Sequence, residues 1–294
     1  MPSQRTGMLY AFLAYAIWGL FPLYFKQLKG VDALEVIAHR TLWSLAVLLA
    51  TLTVLRRWAW LGAALKNRRL VGSFALSALL LSGNWLVYVW AVQNGHVVEA
   101  SLGYFINPLV SVALGYLVLR ERPRPLQWAA VALAAAGVLW LTVSAGRLPW
   151  IALVLALSFG FYGLMRKTAA LGALEGLTLE TLLLAPLAAL ALGWWTAHGQ
   201  SAFVTGTPTV IGWLLFAGPL TAVPLLMFAA GARRITLTML GLMQYIAPTL
   251  QFSLGVWVYG EPVDGHKLIG FAMIWTALAA YSLEGLWRSR VNAG

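Results

Sequence analysis

The sequence predicts an all-α integral membrane protein with ten transmembrane helices, built as two inverted five-helix repeats with both termini in the cytoplasm. Three observations support this prediction: the composition, ten long apolar stretches and an internal repeat. Of the 294 residues, 61% are hydrophobic and 10% are charged, and the mean hydropathy is +0.80. A soluble protein has about 25% charged residues, so this composition excludes a soluble enzyme and a disordered scaffold.

The net charge is strongly positive, at +11, but its distribution does not indicate a nucleic-acid partner. The Lys and Arg residues lie between apolar stretches, whereas a nucleic-acid-binding surface gathers them on one face. The chain has no cysteine, which excludes disulfides, thiolate metal sites and cysteine nucleophiles. We therefore expect no metal, no cofactor and no nucleic acid.

Ten stretches are apolar and long enough to cross a hydrocarbon core of about 30 Å, which takes about 20 helical residues. The first is expected to be a retained span, because it is longer than the apolar region of a signal peptide and no small-residue cleavage site follows it. The predicted spans are 7–25, 33–55, 70–92, 99–119, 126–143, 148–165, 176–195, 209–230, 237–259 and 267–287.

The distribution of positive charge predicts the orientation. Loops on the side of the N terminus carry fifteen Lys and Arg residues, and loops on the opposite side carry four. Positive residues are enriched in cytoplasmic loops, so the N terminus is expected in the cytoplasm. An even number of spans returns the C terminus to the same side.

A segment of the chain recurs 140 residues later. The two copies are Leu102-Gly-Tyr-Phe-Ile-Asn-Pro108 with Gly115 and Glu121, and Leu242-Met-Gln-Tyr-Ile-Ala-Pro248 with Gly255 and Glu261. The repeat divides the chain into halves at 7–143 and 148–287, each with five predicted spans. Because five is odd, the second half must enter the membrane from the opposite side.

Inverted halves of similar energy can exchange inward-open and outward-open states around a site at the membrane midplane, so the repeat predicts a secondary transporter. A duplication kept only for packing is the alternative. A polytopic enzyme or scaffold is also possible in principle, but the sequence has no zincin motif, no nucleophile elbow and no P-loop. We therefore expect no catalytic residues and no ATP-driven pumping.

The repeats resemble the EamA repeats of the drug/metabolite transporter superfamily, and more narrowly the RarD subfamily, over about residues 7–287. One departure is Arg120, where many family repeats have glycine; the second half keeps glycine before Glu261. The resemblance implies an inner-membrane secondary transporter that exports a small molecule. The segments that carry it are Glu35-Val-Ile-Ala-His39-Arg40, Gly83-Asn84-Trp85, Glu99-Ala-Ser-Leu-Gly-Tyr104-Phe-Ile-Asn107-Pro108, Phe159-Gly-Phe-Tyr162-Gly-Leu-Met-Arg166-Lys167 and Gln244-Tyr245-Ile-Ala-Pro248-Thr249.

Two prolines inside predicted helices indicate where a site could lie. Pro108 and Pro248 have no N–H, so each should act as a hinge and free the carbonyl four residues back, at Tyr104 and Gln244. Free carbonyls at membrane depth are tolerated where they line a wet cavity. We therefore expect a solute cavity between the halves. Its expected lining residues are Trp18, Asn84, Trp85, Tyr88, Tyr104, Asn107, Tyr162, Gln244, Tyr245 and Gln251.

Packing is the alternative role for these residues. An Asn such as Asn84 in a span most often bonds a neighbouring helix, which contributes about 0.6 kcal/mol. A Trp inside a span, such as Trp18 or Trp85, most often packs against its neighbours. The first span carries a further polar and aromatic row at Tyr15, Trp18, Pro22 and Lys26.

Charged side chains inside spans are costly and mark function by default. Arg40 and Glu180 occupy equivalent repeat positions, but their backbones differ by about 14 Å in depth, which disfavours a direct ion pair. Glu35 and His39 share a helical face, which allows a structural contact or, through titration of the His, coupling of export to proton entry. Glu99, at the outer end of the fourth span, is another protonation candidate.

The expected cavity mixes Trp, Tyr, Asn and Gln with almost no deep charge. This lining suits a neutral or zwitterionic amphipathic solute, or a cation held against aromatic faces, and suits a polyanion poorly. The expected partners are this solute, the lipid bilayer and possible coupling protons. The sequence leaves the identity of the solute and the oligomeric state open.

Overall fold

The computed structural model describes residues 4–28, 30–93, 97–144, 150–258, 265–266, 268–270, 272–277 and 279–280. Within these ranges every regular element is helical. The main helices are α1 (Gln4–Gly19), α2 (Phe21–Gln27), α3 (Ala33–Val54), α4 (Ala59–Lys66), α5 (Arg68–Gln93), α6 (Val97–Leu117), α7 (Pro125–Ser144), α8 (Trp150–Thr168), α9 (Ala173–Ala197), α10 (Ala202–Thr205), α11 (Pro208–Ala232), α12 (Leu237–Met243) and α13 (Ile246–Trp257).

Seven of the described helices are long and apolar enough to cross a membrane, with α1 and α2 counted together. They coincide with the predicted spans one to three and five to eight, which confirms an all-helical membrane protein. The predicted fourth span contains α6, whose apolar part, Gly103–Leu117, is shorter. The predicted tenth span, at 267–287, lies largely outside the described residues. A total of ten spans and cytoplasmic termini stay predictions.

Two predicted spans are broken by a turn, so the expectation of one continuous helix in each is wrong. In the first, α1 ends at Gly19 and α2 begins at Phe21, with Pro22 in the first turn of α2. In the ninth, Pro248 lies in the first turn of α13. Because proline has no N–H to donate, it is favoured in the first turn of a helix and breaks a helix interior.

Side-chain caps begin some of the helices, as α3 and α11 show. The Asp32 side chain accepts hydrogen bonds from the backbone N–H groups of Leu34 and Glu35, which begins α3. Thr207 caps α11 in the same way, and Pro208 follows as the first helical residue. These side chains satisfy N–H groups that the first helical turn leaves without partners.

The helix bounds repeat along the chain at the spacing of the sequence repeat. Helices α3 and α9 begin at Ala33 and Ala173, and α5 and α11 begin at Arg68 and Pro208. Helix α6 spans Val97–Leu117, and α12 and α13 together fill the corresponding stretch, residues 237–257.

Helices of the first half, α1–α7, pack mainly against helices of the second half, α8–α13. The largest contacts join α6 to α8, α3 to α11, α3 to α9, α1 to α11, α6 to α12 and α5 to α8. The main buried core accordingly mixes both halves, with Tyr15 of α1 and Leu48 of α3 beside Tyr162 of α8 and Phe228 of α11. The site described below therefore lies at an interface between halves.

The crossing of α3 and α11 is close because Gly218 has no side chain. A Cβ at Gly218 would lie 2.6 Å from the carbonyl carbon and oxygen of Trp43. The approach allows the hydroxyl of Ser44 to donate a hydrogen bond to the carbonyl of Gly218 at 3.2 Å. Small residues are the usual means of such close backbone contact in membrane helices.

Candidate functional site

A cavity of about 690 Å³, a volume that includes the open space at its mouth, lies between the two halves. The first half contributes α1, α2, α5 and α6, and the second contributes α8, α11, α13 and the turn before α13. The lining residues are Tyr15, Trp18, Phe21, Pro22, Phe25, Asn84, Trp85, Tyr88, Tyr104, Asn107, Phe159, Leu225, Gln244, Ala247, Pro248 and Gln251.

Most of the residues predicted to line a solute cavity meet around this one. They come from four separate helices and one turn, so no local pattern alone brings them together. The predicted residues that the structure places in the wall are Trp18, Asn84, Trp85, Tyr88, Tyr104, Asn107, Gln244 and Gln251, together with the predicted hinge residue Pro248.

Two predicted lining residues, Tyr162 and Tyr245, are absent from the wall. Tyr162 is fully buried and stacks on Phe228, with ring centroids 5.9 Å apart and planes 11° apart. Tyr245 is also fully buried, and its hydroxyl donates to the carbonyl of Phe105 at 3.1 Å. Both side chains pack the helices behind the wall, which is the usual role of a buried Tyr with an apolar body.

The prediction of a free carbonyl at Gln244 is wrong. The carbonyl of Gln244 accepts a hydrogen bond from the N–H of Ala247 at 3.3 Å, because the chain tightens into a turn there before Pro248. The other predicted hinge, Pro108, lies inside the continuous helix α6 and outside the wall. Hinge motion at Pro108 and Pro248 stays a prediction.

A proline effect that the sequence analysis missed occurs in the first span. Pro22 cannot donate to the carbonyl four residues back, which belongs to Trp18. The side-chain amide of Gln251, on α13, donates to this carbonyl at 3.2 Å. This hydrogen bond joins span one to span nine at the cavity wall, and its acceptor is the Trp18 carbonyl that Pro22 leaves without a helical donor. The pairing of Pro22 with a polar residue 229 positions later had no local signal.

Asn84 both lines the cavity and joins two helices. Its side-chain nitrogen lies 2.9 Å from the carbonyl oxygen of Leu155 and 2.9 Å from the hydroxyl of Ser158. These hydrogen bonds link α5 to α8. The amide nitrogen of Asn84 therefore has the helix-packing role that the sequence analysis gave as the alternative to lining a cavity. Replacing Asn84 would therefore disturb the helix contact as well as the wall.

Aromatic rings form much of the wall. Trp85 meets Tyr88 edge to face at 5.9 Å, and Tyr88 meets Tyr104 at 5.7 Å. On the opposite half, Phe159 meets Trp18 edge to face at 5.7 Å. Such contacts hold the rings in fixed orientations, and their faces offer apolar area and attraction for cations.

Arg40 lies beside this wall. Its guanidinium carbon is 3.7 Å from the centroid of the Trp85 ring, and its Nε donates to the hydroxyl of Thr221 at 2.8 Å. Arg40 makes no contact with Glu180, in keeping with the expectation from depth. The guanidinium therefore belongs to the neighbourhood of the cavity.

Glu35 and His39 make the local contact that their spacing allows. The His39 Nε2 lies 3.8 Å from the Glu35 carboxylate, and both side chains are buried. The same carboxylate oxygen accepts from the hydroxyl of Ser201 and the N–H of Ala202, each at 2.8 Å. Because these groups begin α10, the carboxylate also fixes the short helix between α9 and α11.

Glu180 pairs with Arg166, one of the fifteen Lys and Arg residues that the sequence predicts in loops on the side of the N terminus. Arg166, at the end of α8, lies 3.4 Å from the Glu180 carboxylate, and both side chains are 1% exposed. The hydroxyl of Ser77 donates to the same oxygen, which joins α5, α8 and α9. The prediction of a loop position for Arg166 is wrong, because the residue lies within α8 and is sealed inside the protein.

Glu121 has a role that its place in the sequence repeat did not predict. Its carboxylate accepts hydrogen bonds from the N–H groups of Leu237 and Thr238, at 2.7 and 3.0 Å, and so caps α12. Lys167 lies 3.9 Å away as a counter-charge. The side chain of Glu99 and the repeat partner Glu261 lie outside the described residues.

Among the described residues, no group of three or more His, Cys, Asp or Glu side chains is arranged to hold a metal ion. The residues around the cavity offer aromatic faces, amides and hydroxyls, which suit reversible binding of an organic molecule.

Comparison with known proteins identifies relatives over nearly the whole chain. The sequence model of the EamA-like transporter family matches residues 5–143. The protein RarD of Streptomyces exfoliatus is 48% identical over 288 residues, which cover 98% of this chain and 91% of that protein. An uncharacterized transporter of Pseudomonas aeruginosa is 48% identical over 289 residues, with 98% and 96% covered.

A solved crystal structure supports the fold. It aligns with a TM-score of 0.70 over 96% of this chain and 98% of that chain, at 21% sequence identity. At this identity the likeness concerns the arrangement of the helices alone.

Proposed function

Because the chain belongs to the RarD group of the EamA-like transporter family, we propose that it exports a small amphipathic solute by alternating access. The family and the relatives named as transporters make it a membrane transporter, and its apolar helices make it an integral protein of the inner membrane. The solute of this proposal is neutral, zwitterionic or cationic. Relatives named as transporters also fit the prediction that the chain is not an enzyme.

The observation that carries the proposal is the position of the cavity between the halves. Its wall takes Trp18, Tyr88 and Tyr104 from the first half and Phe159 and Gln251 from the second. A site shared in this way changes its access when one half moves against the other, which is the mechanism expected of paired repeats.

The pattern of helix contacts supports a two-fold relation between the halves. At the repeat spacing, α1 and α2 together correspond to α8, α3 to α9, α5 to α11 and α6 to α12–α13. If each helix is replaced by its counterpart in the other half, the contact of α1 with α11 becomes a contact of α8 with α5, which the structure also contains. In the same way, the contact of α3 with α11 becomes a contact of α9 with α5, which is also present. We include ten spans, inverted repeats at 7–143 and 148–287, and cytoplasmic termini in the proposal.

We expect a space-filling change in the wall to abolish solute binding. Leu225 lines the cavity, so Leu225→Phe should fill it without removing a hydrogen bond. A screen of neutral, zwitterionic and cationic amphipathic solutes by thermal shift should find a ligand, because ligand at 100 times its Kd adds about 2.7 kcal/mol to stability. The shift should disappear in Leu225→Phe.

The matched control for this experiment is Val223→Phe, at a position on the same helix that is 39% exposed. The control should keep the ligand-induced shift. A shift that survives Leu225→Phe would move the solute site away from this cavity. A ligand that binds but is not exchanged across reconstituted liposomes would favour a scaffold over a transporter.

The proposal includes coupling of export to protons. If one carboxylate or His carries the coupling proton, a variant at that residue should no longer respond to a pH gradient. We expect one of Glu35→Gln, His39→Gln, Glu99→Gln and Glu180→Gln to abolish pH-driven transport in liposomes while solute exchange without a gradient continues. The contact of Glu35 with His39 makes these two residues a single candidate unit. If all four variants keep full pH-driven transport, coupling through these residues is excluded.

A further inference from the structure

Arg40 is a buried cation that has no carboxylate within ion-pair distance among the described residues. Its side chain is 6% exposed, with one hydrogen bond from Nε to Thr221 and the ring of Trp85 against the guanidinium. The two terminal nitrogens donate no hydrogen bond to a described residue. Unlike the Nε of Arg166, they are not sealed from water, so the exposed part of Arg40 includes them.

Arg40 is not itself among the residues that line the cavity, but its guanidinium lies directly against the wall. Trp85, which the guanidinium contacts, belongs to the wall. Two Tyr hydroxyls lie within electrostatic range of the guanidinium, that of Tyr24, which is outside the wall, and that of Tyr104, which belongs to it. A buried cation is costly unless it is compensated, and an aromatic face with one neutral hydroxyl compensates it only in part. The missing counter-charge can arrive with the solute.

We propose that Arg40 binds the carboxylate of the transported solute. This inference rests on the proposed function, and among the three solute classes named there it selects the zwitterion. The planar guanidinium suits the assignment, because its N–H groups can form two parallel hydrogen bonds to one carboxylate.

A second feature of the wall suits the positive end of such a solute. Asn107 lines the cavity and is 2% exposed, and its Oδ1 has no hydrogen-bond partner in the described part of the chain. An amide oxygen is an acceptor that an ammonium N–H can satisfy, but this oxygen is sealed from water in the structure, so the contact requires the Asn107 side chain to turn toward the cavity. The aromatic rings of the wall then contact the apolar body of the solute.

The test compares two probes of the same shape, of which only one has a carboxylate. 4-(Aminomethyl)benzoate is a zwitterion, and 4-(aminomethyl)benzamide replaces its carboxylate with a neutral amide. We expect the purified full chain to bind the benzoate about tenfold more tightly or better by titration calorimetry, as a charge-assisted pair of hydrogen bonds implies. Arg40→Gln should remove this preference while binding of the benzamide continues.

Two further variants keep the result interpretable. Arg40→Lys retains the charge and should reduce the preference, because an ammonium cannot form the two parallel bonds. This variant decides the matter if Arg40→Gln does not fold. Arg57→Gln, at a side chain that is 61% exposed, should keep the full preference.

Equal affinity for both probes in the wild-type chain, or a preference that survives Arg40→Gln, would overturn the assignment. Exchange of the benzamide across liposomes would then show that transport stands and that only the role of Arg40 fails. An intact binding preference without exchange of either probe would instead contradict the proposed transport.

Discussion

Replacing Arg166 with leucine is expected to lower the free energy of unfolding by about 3–5 kcal/mol, because the substitution leaves a buried carboxylate without its counter-charge. The Glu180 carboxylate is 1% exposed and has Arg166 at 3.4 Å as its ionic partner. The hydroxyl of Ser77 also donates a hydrogen bond to this carboxylate, and it carries no charge to replace the guanidinium. Thermal unfolding in one detergent, monitored by tryptophan fluorescence, measures the loss.

The double variant Arg166→Leu with Glu180→Leu should lose much less than the sum of the two single losses, since it removes both charges together. The chain offers a matched control in the pair of Arg57 and Glu175, whose charged atoms lie 3.5 Å apart with Arg57 largely exposed. Arg57→Leu should cost less than about 1 kcal/mol. Equal losses for Arg166→Leu and Arg57→Leu would show that burial does not strengthen the inner pair.

Adding a single methyl group at Gly218 is expected to destabilise the protein by about 1–3 kcal/mol, the usual range for overpacking. The new Cβ would meet the backbone of Trp43 at 2.6 Å, and backbone on α3 cannot move aside as a flexible side chain can. The change should also weaken the hydrogen bond from Ser44 to the Gly218 carbonyl. The melting temperature of Gly218→Ala in detergent reports the combined effect.

The opposite sign is expected at Gly212, on the same helix. A Cβ at Gly212 would meet nothing within 4 Å. Alanine is favoured over glycine in a helix by about 0.5–1 kcal/mol, so Gly212→Ala should match or exceed the wild-type melting temperature. If Gly218→Ala were as stable as Gly212→Ala, the close crossing of α3 and α11 would not constrain residue 218.

Much of the helix arrangement could be predicted from the sequence because its signals are local. Apolar stretches of sufficient length gave the seven spans that the structure bears out, and Asp32 and Thr207 sit where α3 and α11 begin. The breaks before Pro22 and Pro248 were harder to place. A proline in a span fits either a kinked helix or the first turn of a new one, and only the neighbouring helices decide between these.

The wall residues could be predicted because polar side chains are rare in apolar helices. Three such polar residues are easy to recognise in the sequence without knowledge of their contacts: Asn84, Asn107 and Gln251. Tyr162 and Tyr245 stand out in the same way, yet both are buried behind the wall. A Tyr suits either environment, so its residue type alone cannot separate a lining position from a packed one.

The contacts that the sequence analysis missed join residues far apart in the chain. Glu121 caps a helix that begins more than a hundred residues later, at Leu237. Arg166 sits at a helix end, which is where exposed positive residues also accumulate. Neither residue differs in local sequence from a solvated charge. Only the packed arrangement reveals that one caps α12 and that the other pairs inside the protein.

The hydrogen bonds that Asn84 and Gln251 make to neighbouring helices affect how a solute leaves. Each amide nitrogen at the wall already has a protein acceptor, Leu155 for Asn84 and Trp18 for Gln251. A departing molecule therefore does not have to break strong bonds to these groups, and the wall does not need water to replace them. Rings hold the molecule by contact area, which falls away gradually as it moves. The pair of hydrogen bonds proposed for Arg40 is then the main attachment that release must break, and the rest of the wall favours rapid release over tight retention.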